Sequence, residues 1–383
     1  MRWAAWSMAV LSAFGAAVAH AETIIKPLIE VGTEARYDTD PYLNGNQEVF
    51  SKISPKGGVI IANENLKLSA WYAADALYKA VQQVPELDHR GAIDFKDQVS
   101  HKLAIRSDAE VWRVEDPTSL PRLGLAAVPV PIFYSTAGAG LTYDFTQRMS
   151  LLFDDRQEVA KIYQNGLPLS LTQAPSAELK YKLSVRDTVG VTYRYQAFIA
   201  VPTPASDLVG QTHAGLMSLE HRFTEKWHGY VKGGPLAWVD GTQRGATSVV
   251  PVGEAGITWE GELSEVDLIG GHDLLGSAGY AAAVWADYAE LAVAWHPTRK
   301  LNIWVGSGAF RNGLAPDGAT TVQGYSVGGG LGWAFTREIT GRVQAQRIQQ
   351  QDINTGAARL VAVDRNIFGV QLSWAPELSP KHI

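Results

Sequence analysis

Residues Val189–Ile199 read VGVTYRYQAFI. Val189, Val191, Tyr193, Tyr195, Ala197 and Ile199 alternate with Gly190, Thr192, Arg194 and Gln196. A period of two places successive side chains on opposite faces of a β-strand, so this segment has one apolar and one polar face. Leu28–Tyr37 repeats the pattern, with Ile29, Val31, Ala35 and Tyr37 opposite Glu30, Gly32, Glu34 and Arg36. Near the other end Phe368, Val370, Leu372 and Trp374 alternate with Gly369, Gln371 and Ser373. Such strands suit a wall with lipid on one side and water on the other.

Counting alternating segments between turn signals predicts about eighteen strands, among them 92–100 and 176–184. An even number of strands about ten residues long is the pattern of a bacterial outer-membrane barrel. The connections differ in kind. Phe-Thr-polar-polar-apolar recurs at Phe145–Met149, Phe223–Trp227 and Phe335–Ile339, and His296–Lys300 makes a similar tight link. The links between these hairpins are longer, as at Glu115–Ile132, Val159–Pro175 and Arg311–Thr320. Short turns at one end and long loops at the other predict an all-β chain forming a single transmembrane antiparallel barrel, with the short turns periplasmic and the long loops extracellular.

The first residues agree with an exported protein. Arg2, the apolar segment Met8–Val18 and Ala19-His20-Ala21 have the form of a signal peptide, with cleavage expected after Ala21. The expected organisation is a leader over residues 1–21 and one barrel domain over 22–383. The formal net charge of −6 argues against a nucleic-acid partner. With no cysteine in a chain bound for an oxidising compartment, a closed hydrogen-bond ladder takes the place that disulfides would have.

Gly369, Leu372 and Trp374 resemble the C-terminal signal read by the barrel assembly machinery; Ile367 is apolar where that signal has a polar residue, and residues 375–383 continue past the aromatic. Tyr37–Leu43 (YDTDPYL) followed by Lys52–Ile61 (KISPKGGVII) resembles the first hairpin of the Gram-negative porin-2 family, with Asp40-Pro41 where Asn-Pro is expected. The resemblance covers residues 28–61. It implies an outer-membrane pore embedded in lipid, and the family includes exopolysaccharide-export barrels of myxobacteria.

Other motifs carry less. Gly324-Tyr325-Ser326-Val327-Gly328 matches the nucleophile-elbow string, but the elbow needs a strand, a strained turn and a helix, and Gly329–Phe335 continues a strand. Asp38, Asp40, Asn44, Gly45 and Glu48 resemble a calcium loop in composition but not in spacing, and a polar turn is the plainer reading. Asp287, Glu290 and His296 are too generic for a catalytic set, and no histidine cluster suggests a metal. Neither a catalytic residue nor a cofactor is expected.

The alternation phase yields a set of lumen-lining candidates: Glu30, Glu34, Arg36, Trp71, Arg106, Asp108, Glu110, Trp112, Asp144, Arg156, Thr192, Arg194, Gln196, Trp304, Arg342, Gln344 and Gln346. Both charge signs occur, so strong ion selectivity is not expected. Trp71, Trp112 and Trp304 on a watery face suggest sugar stacking, since an indole offers an apolar face and an N–H donor. The first expectation is therefore a polysaccharide-export conduit working with periplasmic export components. The alternative is a diffusion porin for small polar solutes, and third comes a barrel-based enzyme or adhesin.

Overall fold

The computed structural model describes residues 23–41, 46–81, 83, 85–114, 131–163, 169–201, 207–241, 247–276, 283–315, 321–352, 362–378 and 381–382. The leader and its cleavage site lie outside the described residues. Eighteen long strands follow one another: β1 (Ile24–Asp38), β2 (Glu48–Ala62), β3 (Leu66–Lys79), β4 (Pro85–Ser100), β5 (Leu103–Val114), β6 (Ile132–Asp144), β7 (Met149–Ile162), β8 (Leu169–Lys182) and β9 (Asp187–Val201) form the first half. The second half is β10 (Asp207–Arg222), β11 (Trp227–Asp240), β12 (Thr247–Glu260), β13 (Ser264–Gly276), β14 (Ala283–Trp295), β15 (Leu301–Leu314), β16 (Thr321–Ala334), β17 (Ile339–Asp352) and β18 (Val363–Trp374).

Each strand pairs antiparallel with the next, and β18 returns to β1 in the register Val31↔Trp374 to Asp38↔Ile367, so the sheet is a closed barrel. Closure leaves no open edge, which a wall in lipid requires because hydrocarbon offers no hydrogen-bond partners. A two-residue strand, β19 (Lys381–His382), pairs with Ile24 and Ile25. The tail leading to it is held at Glu338, whose main-chain oxygen accepts from Ala375 N (2.8 Å) and whose carboxylate accepts from Glu377 N (3.3 Å) and Trp374 Nε1 (3.4 Å).

Two boundaries differ most from the sequence expectation. β4 begins at Pro85 rather than at residue 92, and β8 begins at Leu169 rather than at 176, so the expected long loop Val159–Pro175 is largely strand. The misreading follows from treating proline as a loop signal. Pro175 sits inside β8 opposite Asp155, with the ladder to β7 unbroken, while the ladder to β9 skips from Gln173 to Ser176. Pro55 and Pro235 behave alike: pairing continues on one side (Val31↔Pro55, Pro235↔Pro251) and lapses on the other, toward β3 and β10. A proline lacks the N–H one ladder bond needs, so the wall accepts it at the cost of one local gap.

The repeated Phe-Thr turn is explained by its hydroxyl. Thr146 Oγ1 accepts from the main-chain N–H groups of Arg148 (3.2 Å) and Met149 (3.0 Å). Thr224 does the same for Lys226 and Trp227, and Thr336 for Glu338 and Ile339. One side-chain oxygen satisfies two donors and turns the chain without Gly or Pro. Ser100, Ser184 and Thr298 form the same turn, so the device is wider than the Phe-Thr string. Thr224→Ala should therefore cost about 0.5–1.5 kcal/mol, read as a shift of the urea midpoint of the folded barrel. An unchanged midpoint would mean that backbone pairing alone holds the turn.

The outward face is apolar. Val191, Tyr193, Met217, Val231, Leu331, Val343, Phe368 and Val370 are exposed there, and Phe145, Phe223, Trp227, Trp295, Trp333, Phe335 and Trp374 are exposed in or beside the short turns. Trp227 and Trp259 pair across β11 and β12 with ring centroids 6.2 Å apart. Large exposed apolar side chains ringed by aromatics at one border form the belt of a lipid-facing wall.

Candidate functional site: a narrowed lumen

The interior is uneven. β12 and β13 pair only from Glu260↔Glu265 to Gly253↔His272, and beyond that the wall parts. β13 stays with β14 as far as Gly276↔Ala283, and β14 stays with β15 as far as Val284↔Leu314. The long-loop end of this group leans inward. Asp273 reaches Arg194 of β9, with Nη1 donating to Oδ2 at 2.7 Å and Nη2 to Oδ1 at 2.5 Å. Three strands lie between β9 and β13 along the wall, four spacings or roughly 19 Å of arc. Only an inward fold brings the two side chains together.

Two further contacts fix this geometry. A Cβ on Gly276 would stand 2.2 Å from Thr172 Oγ1 of β8, so the end of β13 lies against a strand five places away, and glycine is what permits the approach. Leu274 is fully buried among Phe198, Leu216, Leu236 and Trp238, with Ala214, Val252 and Ala283 completing the cluster and Trp285 packed against it. An apolar core inside a barrel fills space that would otherwise be water.

What remains open is a lane along β1–β5, β17 and β18, with a cavity of about 500 Å³. Its lining includes Glu30, Glu34, Arg36, Trp71, Trp112, Arg342 and Gln344 from the sequence-derived set. It also includes Asp75, which the alternation places in phase with Trp71, and Lys52, Lys56 and Arg90, which the sequence reading did not single out. Most of these charges are paired on the wall: Lys52–Glu34 at 2.5 Å, Lys56–Glu30 at 3.3 Å and Arg90–Asp75 at 2.8 Å. Cations also cover aromatic rings, with Lys56 Nζ 4.7 Å from the centroid of Trp71, Arg90 5.6 Å from Trp112 and Arg36 4.4 Å from Phe50. Such contacts hold a cation near the wall and occupy one face of each indole.

The other candidates fall at various places on the interior face. Arg106 pairs with Asp154 at 3.0 Å, and Asp108 faces the position where a Cβ on Gly138 would stand. Glu110 accepts from Trp112 Nε1 at 3.4 Å. Arg156 has no ion pair among the described residues, and Asp144 ends β6 beside a short turn. Thr192 and Gln196 are buried near Arg194, and Gln196 accepts from Thr212 Oγ1 at 3.3 Å. Gln346 packs where a Cβ on Gly328 would be. Trp304 lies against Gly330 with Nε1 buried and unbonded, a space-filling position.

The rejected motifs have plain structural roles. Gly324–Gly328 lies within β16, with no turn at Ser326. Asp38 is fully buried and bonded to Arg365, Asp40 N donates to Asp38 Oδ1 at 3.2 Å, and Glu48 accepts from Val81 N at 2.7 Å; Asn44 and Gly45 lie outside the described residues. Asp287 is hydrogen-bonded to His272 (2.7 Å), one residue along β13 from the lumen-facing Asp273. Glu290, three places along β14, falls on the opposite face of the strand.

No protein-family model and no curated protein matches the chain. Among solved structures it is similar to Pseudomonas aeruginosa OccK2 (OpdF) in complex with glucuronate, at 11% identity over 92% of this chain and 98% of that one, TM-score 0.49. It is similar to P. aeruginosa OccK7 (OpdD) at 10% identity over 94% and 99%, TM-score 0.49. It is also similar to Acinetobacter baumannii OccAB2, at 10% identity over 92% and 98%, TM-score 0.45.

Proposed function

We infer that the chain is an outer-membrane pore for small polar solutes, a channel without chemistry of its own. The observation that carries this reading is the inward fold of β13 and β14, held by Arg194–Asp273 and the Leu274 cluster. A barrel of about eighteen strands would otherwise leave a wide aqueous channel. A long hydrated polysaccharide needs that width and free stacking platforms. Here part of the lumen is filled, and Lys56 and Arg90 each cover one face of Trp71 and Trp112. The diffusion alternative is thus favoured over the export conduit.

The apolar belt and the aromatics beside the short turns support the membrane location, with the short turns in the periplasm. Gly369, Leu372 and Trp374 are the proposed recognition points for the assembly machinery. The leader is proposed to be cleaved after Ala21, leaving residues 22–383 as the barrel. Cations and carboxylates lining the lane are nearly balanced and mostly paired, which favours weak charge selectivity.

The test is reconstitution of the heat-modifiable barrel in liposomes and planar bilayers. Mono- and disaccharides should enter swelling vesicles, oligosaccharides of ten units should not, and potassium and chloride permeabilities should lie within about a factor of five of each other, as a mixed-sign lining implies. Free passage of the long oligosaccharide would restore the export conduit. Absence of any conductance would remove the pore.

A further inference from the structure

Pro251 stands in β12 just beyond Gly253, where the pairing of β12 with β13 ends on the long-loop side. Successive N–H groups of a strand point alternately to its two neighbours. Along β12 the phase is fixed at the short-turn end: Glu260 N donates to Lys226 O beside β11 (2.8 Å), and Gly261 N donates to Ser264 O of β13 (2.7 Å). Odd-numbered positions of β12 therefore serve β13, and Pro251 is the odd position that follows Gly253 toward the long loops. It has no N–H to give.

The same phase accounts for Pro55, Pro175 and Pro235, and there the strands rejoin. Lys182 N donates to Arg148 O beside β7, so the odd Pro175 faces β9, and that ladder resumes at Gln173↔Ala197. Pro55 faces β3 and Pro235 faces β10, and their ladders resume at Ile53↔Ala76 and Ala214↔Leu236. In each case four or five pairs lie beyond the gap and reward the rejoining. At Pro251 the ladder does not resume. Continuing the register would set Val250 opposite Leu275 and Val249 opposite Gly276, where β13 ends, yet neither pair forms. β12 itself stays in the wall with β11 as far as Val239↔Thr247. Its lost partner is engaged inside: Asp273 by Arg194, Leu274 in the apolar cluster and Gly276 against Thr172.

We propose that Pro251 is the positioning residue of the constriction, a wedge that keeps the wall parted so that Asp273–Gly276 fold into the lumen. The proposal rests on the small-solute reading, in which this inward fold narrows the pore. Hydrocarbon offers backbone groups no partners, so a wall in lipid gains by closing its ladder. Proline removes the first bond of that closure. The next would come only at Val249↔Gly276, the last pair β13 has to offer, and it competes with the bidentate Arg194–Asp273 contact and the packing of Leu274.

Pro251→Val restores the donor with a strand-forming side chain. The chain has no cysteine, so Val250→Cys with Leu275→Cys reports on closure of the wall. This pair should form an intramolecular disulfide in the Pro251→Val background and stay reduced where Pro251 is kept. In planar bilayers Pro251→Val alone should conduct several-fold more than the wild type, and in liposomes it should admit the ten-unit oligosaccharide. Pro235→Val, which restores a donor where the wall already rejoins, should change neither. Heat-modifiability shows that each variant is folded, and Pro251→Ala restores the same N–H should the valine not be accepted. A disulfide that forms equally with Pro251 kept, or wild-type conductance in the folded Pro251 variants, would overturn the wedge. The pore reading fails separately, through a wild-type barrel that does not conduct or that passes the ten-unit sugar.

Discussion

Arg365→Leu should destabilise the barrel by about 3–5 kcal/mol, because removing one partner of a buried ion pair leaves the other charge stranded. Asp38 and Arg365 are both essentially inaccessible, and Arg365 Nε donates to Asp38 Oδ1 at 3.2 Å while Nη2 bonds Oδ2. They lie where β1 meets β18, and Thr39 N donates to Asn366 O (3.1 Å) while Asn366 N donates to Thr39 Oγ1 (2.9 Å) beside them. The double variant Asp38→Leu/Arg365→Leu should recover most of the loss, since apolar replacement of a whole buried pair is often neutral. Urea unfolding of the two variants and the wild type in the same detergent decides it. Equal midpoints for the wild type and the single variant would show that the pair contributes nothing to the seam.

The second large effect is on passage. Asp273→Ala with Leu274→Ala should release the inward fold, raise single-channel conductance several-fold and admit larger sugars. Leu274 is fully buried in the internal cluster, and truncating such a leucine typically costs 2–5 kcal/mol of local packing. Losing Asp273 also removes the bidentate contact to Arg194 from a half-buried site. The wall itself stays closed through β1–β18, so the barrel should remain heat-modifiable. Conductance equal to wild type would mean that the constriction lies elsewhere, and the argument for small solutes would lose its main support.

The wall was legible in the sequence and its interior departures were not. Alternation in Val189–Ile199 and Phe368–Trp374 is a local property, set by which face meets lipid, so strand number and order follow from it. The same phase would have pointed to Lys52 and Lys56 had it been followed through β2, because their partners Glu34 and Glu30 are register neighbours. Proline misled, since Pro175 in a loop and Pro175 at a ladder gap look alike in one dimension. The Arg194–Asp273 contact leaves no sequence trace: the residues are 79 apart, and their meeting depends on where β13 leaves β12.

The β1–β18 seam sets an order of events for a newly made chain. Asp38 and Arg365 are separated by 327 positions, whereas consecutive strands are joined by links of at most 17 residues, as between Val114 and Ile132. Closing a loop that long costs roughly 3–4 kcal/mol more in chain entropy than closing a hairpin, so the seam forms last. Until the final strand is in place, β1 travels with a bare row of amides and carbonyls, an invitation to aggregation and proteases. The molecule is therefore most vulnerable while almost finished, because its open edges are covered only when β18 arrives beside β1.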